Sequence, residues 1–341
     1  MHIKKRLFST IIFLLSIICQ TLHTKTPIGN SWHFNTTILR NKKKTKQNLI
    51  QKDGFIPVSF KSKDNTILAG LFLKRKNPKA TILFFHGFFP GGKEVFAPFV
   101  KIAPDTCNLL FIDMRGFGES KGSNIYLHIK NYCLHEYNDI IGAMTFIKKE
   151  TNGLPQILLG RSSGAFNAAT ALLKLHKKKK YKQYNVKGLV FDSGFGSILH
   201  MTQSPYYHIR HHLVPRIISP LYGGNKQRAS TSILCKISSY CLSLTLKVVE
   251  FYLLPTIKQR EPQTNLFDTI HKLDSIPIFA IHAIDDHYSH WKHIKPLIEN
   301  IKQKDLWLIP KGTSSHAKAS LKQKELYKNK LYTWIKKALQ T

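Results

Sequence analysis

Acidic residues are scarce in this chain. Nineteen Asp and Glu stand against 52 Lys and Arg in 341 residues, which leaves a formal charge of +33. So deep a deficit argues against cationic partners and favours anionic ones: phospholipid headgroups, acidic envelope polymers or nucleic acid. Lys, Asn and Ile recur along the whole chain, and no nucleic-acid-binding module stands out, so no nucleic-acid partner is expected. Cysteine is scarce too. The five are Cys19, Cys107, Cys133, Cys235 and Cys241. None has the spacing of metal ligands. Cys235 and Cys241 are close enough to pair in an exported protein, whereas Cys107 opens an apolar run and reads as core. The histidine sets His208, His211, His212 and His287, His290, His293 have helical spacing but read as surface residues. No metal or cofactor is expected. The apolar run from Leu7 to Cys19 is too short to span a bilayer comfortably.

That run follows His2, Lys4, Lys5 and Arg6, the arrangement of a secretory signal, with an uncleaved anchor as the alternative. The expected organisation is a signal or anchor over 1–24, a basic linker over 25–52, and one domain over 53–341. An exported location follows, with an anionic membrane surface as a possible partner.

Within the domain, residues 55–60 and 66–73 alternate as two strands around the polar turn at Asp64 and Asn65, an expected antiparallel hairpin. From Ala80 the rhythm changes. Continuous apolar runs at 80–85, 107–112, 156–159 and 186–191 are separated by helical patterns at 94–102, 132–149 and 163–175. Strands apolar throughout, joined by helices, predict an α/β fold whose mostly parallel sheet is covered on both faces. The alternation breaks over 197–265 and resumes with a strand at 276–281, a helix at 291–301, a strand at 306–309 and a last helix at 321–339. The break is expected to be a helical, lid-like insertion. Inside it, residues 233–254 carry a narrow polar stripe on an otherwise apolar helix, suited to packing or to covering a site.

The chain is organised around Gly160-Arg161-Ser162-Ser163-Gly164. An apolar strand precedes this Gly-x-Ser-x-Gly turn and an Ala-rich helix follows it, which lifts Ser162 onto a tight bend with its hydroxyl exposed. A serine hydroxyl needs a base, and the base needs a group to fix its tautomer. In such a sheet both should lie in loops after later strands. Asp285 and Asp286 follow the strand at 276–281, and His316 follows the strand at 306–309. Asp192, at another strand end, is a rival acid.

Four motifs carry a resemblance: Phe85-His86-Gly87, Asp113 to Ser120 with Arg115 inside it, Gly160 to Gly164, and His282-Ala283-Ile284-Asp285-Asp286 ahead of the late histidine. In this order the chain resembles the α/β-hydrolase superfamily, nearest its serine-aminopeptidase-like and monoacylglycerol-lipase-like branches. The resemblance implies an α/β-hydrolase fold with Ser162 as nucleophile, His316 as base and Asp286 as orienting acid. Asp286 is favoured over Asp285 because the superfamily's acid usually stands four residues after the histidine, although Ala283 replaces the usual glycine. The N–H groups of Phe88 and Ser163 are the implied oxyanion hole. Asp113 and Arg115 read as loop braces. The expected reaction is hydrolysis of a carboxylic ester, with an acyl ester or lipid as substrate. From Met201 to Asn265 the only acids are Glu250 and Glu261, too few for a site recognising a free amine. An aminopeptidase-like peptidase and a non-catalytic exported binding protein are the alternatives.

Overall fold

The computed structural model describes residues 43–88, 91–122, 134–178, 180–198 and 265–341. The signal segment, most of the linker, Cys133, the pair Cys235 and Cys241, the histidines at 208–212 and the apolar helix expected at 233–254 lie outside these residues. The chain divides into two units, Met1–Lys52 and Asp53–Thr341. In the first, residues 43–51 are helical.

The second unit is built on one eight-stranded sheet. Its strands are β1 (Ile56–Lys61), β2 (Ile67–Leu73), β3 (Ala80–Phe85), β4 (Cys107–Ile112), β5 (Gln156–Arg161), β6 (Val186–Asp192), β7 (Ile278–Ala283) and β8 (Lys304–Ile309). Their order across the sheet is β1-β2-β4-β3-β5-β6-β7-β8. β2 is antiparallel to both β1 and β4, and every other pairing is parallel. The N-terminal hairpin and the parallel body are therefore as the alternation of the sequence predicts.

Every residue of β3, β4, β5 and β7 is buried. Covering both faces removes the reason for apolar residues to alternate with polar ones, so these strands are mostly apolar, with Thr81, Asn108, Gln156, Arg161 and His282 as buried polar exceptions. On one face lie the helices α1 (Tyr137–Glu150), α2 (Ser163–Lys177) and α3 (Trp291–Glu299), packed on Leu83, Phe85, Leu110 and Leu158. The opposite face is aromatic. Phe84 meets Phe96, Phe99 and Phe111 at centroid distances of 5.2, 5.1 and 4.9 Å, and Phe99 meets Tyr327 of the last helix, α4 (Lys324–Ala338), at 5.5 Å.

Two local features depart from the expected pattern. The helix anticipated at 94–102 is a 3₁₀ segment, Lys93–Lys101, with Pro98 inside it. Proline has no N–H to give a helical ladder, so the tighter and less regular winding results. The helix anticipated from 321 begins as a single turn at Ala319–Lys322, and α4 starts only at Lys324. Cys107 is a buried free cysteine of the core. Its thiol is pushed up to about 11, chiefly by burial, which leaves it unreactive at neutral pH.

Candidate active site

The edge of the sheet where the parallel strands end collects the site. β5 runs into α2 through Ser162, whose backbone sits at φ 56°, ψ −121°. A residue with a side chain in this region costs on the order of 1–3 kcal/mol, sustained only where its surroundings hold it. Several contacts hold it here. The Ser162 N–H donates to the Asp192 carbonyl at 2.8 Å, and the Ser162 carbonyl accepts the Ala165 N–H at 3.0 Å. The glycines of the turn let strand and helix close on each other: a β-carbon on Gly164 would overlap the Phe85 carbonyl, and one on Gly160 would overlap the Ala165 backbone.

Ser162, His316 and Asp286 meet in a continuous chain of hydrogen bonds. His316 Nε2 lies 2.9 Å from Ser162 Oγ, and His316 Nδ1 lies 2.7 Å from Asp286 Oδ2. A carboxylate can only accept, so Nδ1 carries the proton and Nε2 presents its lone pair to the serine hydroxyl. Asp286 is fully buried, and its other oxygen accepts the N–H groups of Tyr288 at 2.9 Å and Ser289 at 2.8 Å. Burial alone would raise its pKa. The charge and hydrogen bond of His316, with His282 and the Ser289 N–H behind them, outweigh burial and hold the carboxyl below its ordinary value. Asp285 turns the other way and accepts the Gly312 N–H in the loop after β8. The rival acid Asp192 is bonded to Ser193 and Tyr327.

Ser163, the first residue of α2, is buried, and Phe88 is half-buried in the loop after β3. His86 fixes that loop. Its Nδ1 donates to the Gly87 carbonyl at 2.7 Å, which leaves Nε2 to accept the Met114 N–H at 3.0 Å. A small cavity beside Ser163 and Gly87 is lined also by His86, Phe117, Glu136 and Asn167.

The two expected braces differ in their partners. Asp113 is buried and binds both the backbone N–H and the side chain of Lys93, itself only 1% exposed. Lys93 Nζ reaches Glu119 at 3.0 Å as well. Burial would lower the Lys93 ammonium, but Asp113 and Glu119 overcome this and hold it above its ordinary value. Arg115 bonds Asp139 and Asp64, tying the loop after β4 to α1 and to the hairpin turn.

Sequence reasoning passed over three residues placed around this site. Lys93 gave no signal, since a lysine in a lysine-rich chain reads as solvated. Tyr288, two residues beyond Asp286, sets its ring 5.0 Å from that of His316. Ser193 follows Asp192 at the end of β6 and bonds the loop after His316. The neighbouring rings of His287, His290 and His293 stand 6.4 and 6.2 Å apart in edge contacts. Among the described residues no group of three His, Cys, Asp or Glu is arranged to hold a metal ion.

A family model described as serine aminopeptidase, S33, matches residues 76–236. The chain is 24% identical over 294 residues to the uncharacterized protein YfhR of Escherichia coli strain K12, covering 83% of this chain and 81% of that one. The match with the Salmonella typhi YfhR is 26% identical over 189 residues, 51% of this chain and 59% of that protein, less than two-thirds of its length. Among solved structures, the Pyrococcus furiosus esterase Pf2001 superposes with a TM-score of 0.57 at 15% identity, covering 84% of this chain and 91% of that one. A membrane phospholipase A, a bacterial virulence factor, superposes with a TM-score of 0.57 at 14% identity, covering 98% and 99%. At such identities the solved structures speak to fold alone. They share the α/β-hydrolase fold with this mixed eight-stranded sheet, and the family model spans the turn between β5 and α2.

Proposed function

We propose that this protein is a serine hydrolase acting on carboxylic esters through Ser162, His316 and Asp286. The observation that carries the reading is the unbroken path from Ser162 Oγ through both nitrogens of His316 to a buried carboxylate, at 2.9 and 2.7 Å. Ser162 attacks the ester carbonyl while its proton passes to His316 Nε2, and the imidazolium forms against Asp286. The negative oxygen of the tetrahedral intermediate is received by the N–H groups of Ser163 and Phe88. His316 returns the proton to the departing alcohol, which leaves an acyl-serine. Water, deprotonated by the same nitrogen, releases the acid and restores Ser162.

An acyl ester or lipid fits the large positive charge, which draws a protein to anionic membrane surfaces. A membrane phospholipase A among the proteins of like fold fits the same reading. An exported location belongs to this proposal and rests on the basic residues ahead of the apolar run Leu7 to Cys19.

One observation favours a second reading. Glu136, only 4% exposed, brings a carboxylate to the cavity beside Ser163, and an acid in that position suits a peptidase that recognises a free amine. Rates on p-nitrophenyl esters of increasing chain length, measured beside an aminoacyl anilide, separate the two. Ester turnover abolished by Ser162→Ala is expected. Preferential cleavage of the anilide would replace the esterase reading with the peptidase one.

A further inference from the structure

Three residues with side chains take positive φ around this site: Ser162 at 56°, Ser193 at 53° and Ala317 at 52°. None is the glycine or asparagine that such a backbone favours, so contacts must hold each one. For Ser162 and Ala317 those contacts converge on one dipeptide. The Asp192 carbonyl accepts the Ser162 N–H at 2.8 Å. The Ser193 hydroxyl oxygen accepts the Ala317 N–H at 2.9 Å. That hydroxyl in turn lies 3.0 Å from Asp192 Oδ1. A buried carboxylate offers only acceptors, so the serine proton points to Asp192 and a lone pair is left facing Ala317. Asp192 is itself fixed. Its second oxygen accepts the Tyr327 hydroxyl at 3.1 Å and stands 3.7 Å from Arg161 Nε. Burial and the neighbouring Asp192 raise the pKa of Tyr327 well above the ordinary phenol, so it remains a donor.

We infer that Ser193 is a positioning residue for the base: it ties the backbone just after His316 to the strand end that also holds Ser162. The inference rests on the Ser162–His316–Asp286 reading above. The acid anchors the imidazole side chain of His316, and Ser193 anchors the main chain just after it, so together they leave the ring one direction in which to face Ser162. Without the Ser193 hydroxyl, the Ala317 backbone is released to relax from its strained conformation and to carry His316 Nε2 with it.

The test uses the full chain and a fluorophosphonate probe, with Ser162→Ala as the blank. Ser193→Ala and Ser193→Gly both remove the hydroxyl, and glycine adopts positive φ without strain. In both, the maximal labelling rate at saturating probe should fall by on the order of tenfold to a hundredfold. The half-saturating probe concentration should stay unchanged. Ser193→Thr, which keeps a hydroxyl, should retain most of the rate. Amide exchange in a peptide covering 312–320 should quicken in Ser193→Gly, a readout that does not depend on activity. A wild-type labelling rate in Ser193→Gly, or unchanged exchange there, would overturn the inference while leaving the triad reading intact. Absence of labelling in the folded wild type would overturn the triad reading itself, a result distinct from either.

Discussion

A β-carbon on Gly87 would lie 2.9 Å from the β-carbon of Ser162 and 3.4 Å from its hydroxyl oxygen. The loop after β3 therefore touches the proposed nucleophile itself, and residue 87 has no room for a side chain. Gly87→Ala should push Ser162 from its place opposite His316 and lower ester turnover by about a hundredfold, since a displacement of 1 Å is enough for that. Steady-state rates of the folded variant check it. Turnover like that of the wild type would mean the loop can yield.

Asp286 and Asp285 adjoin in sequence but face different partners, His316 and the Gly312 N–H. Asp286→Asn should lower kcat by on the order of 10⁴, because an amide can present the wrong partner to Nδ1 and favour the wrong tautomer. Asp285→Asn should leave kcat within a few-fold of the wild type. Measuring kcat for the two single variants decides the matter, and the reverse order would move the acid by one residue.

Lys93 and Asp113 form a buried ion pair, at 1% and 0% side-chain exposure. Lys93→Met leaves the Asp113 carboxylate buried without its cation, a change that costs about 3–5 kcal/mol. Urea unfolding should show a loss of that size. A loss below about 1 kcal/mol would show that the N–H donors of Lys93 and Glu119 suffice for Asp113.

His282 is buried with Nε2 donating to the Ser289 carbonyl at 2.7 Å. Burial lowers its pKa, against the opposing pull of Asp286 and Ser289. The unfolded chain takes up this proton near pH ~6.5 while the folded chain resists it. Stability from this group is therefore present above that pH and is lost as pH falls toward the folded value. Tm should drop as pH is taken from about 7 to about 5, and less steeply in His282→Gln. Parallel pH curves for the two proteins would rule out His282 as the source.

The strands are legible where burial on both faces leaves a largely apolar run, as at Ala80–Phe85 and Cys107–Ile112, each with one buried polar residue, Thr81 or Asn108. β5 extends through Gly160 and Arg161, which do not read as strand residues because their places are set by the turn that follows. Motif order brought Ser162, Asp286 and His316 forward as candidates. What the sequence hid were contacts that join distant residues in a chain otherwise rich in the same types. The burial of Lys93 depends on Asp113 and Glu119, and the role of Ser193 on the backbone of Ala317. Neither pattern has a period, so neither leaves a trace along the chain.

Ser197 and Asn265 pair in an antiparallel bridge, and the Leu266 N–H meets the Gly196 carbonyl at 2.7 Å. Residues 196–197 and 265–266 are thus held side by side. β6 and β7 pair directly, and length added between the two sides of this junction raises the entropy cost of closing it only slowly. Such a junction lets the length and sequence of the connection change while Ser162, Asp286 and His316 keep their places.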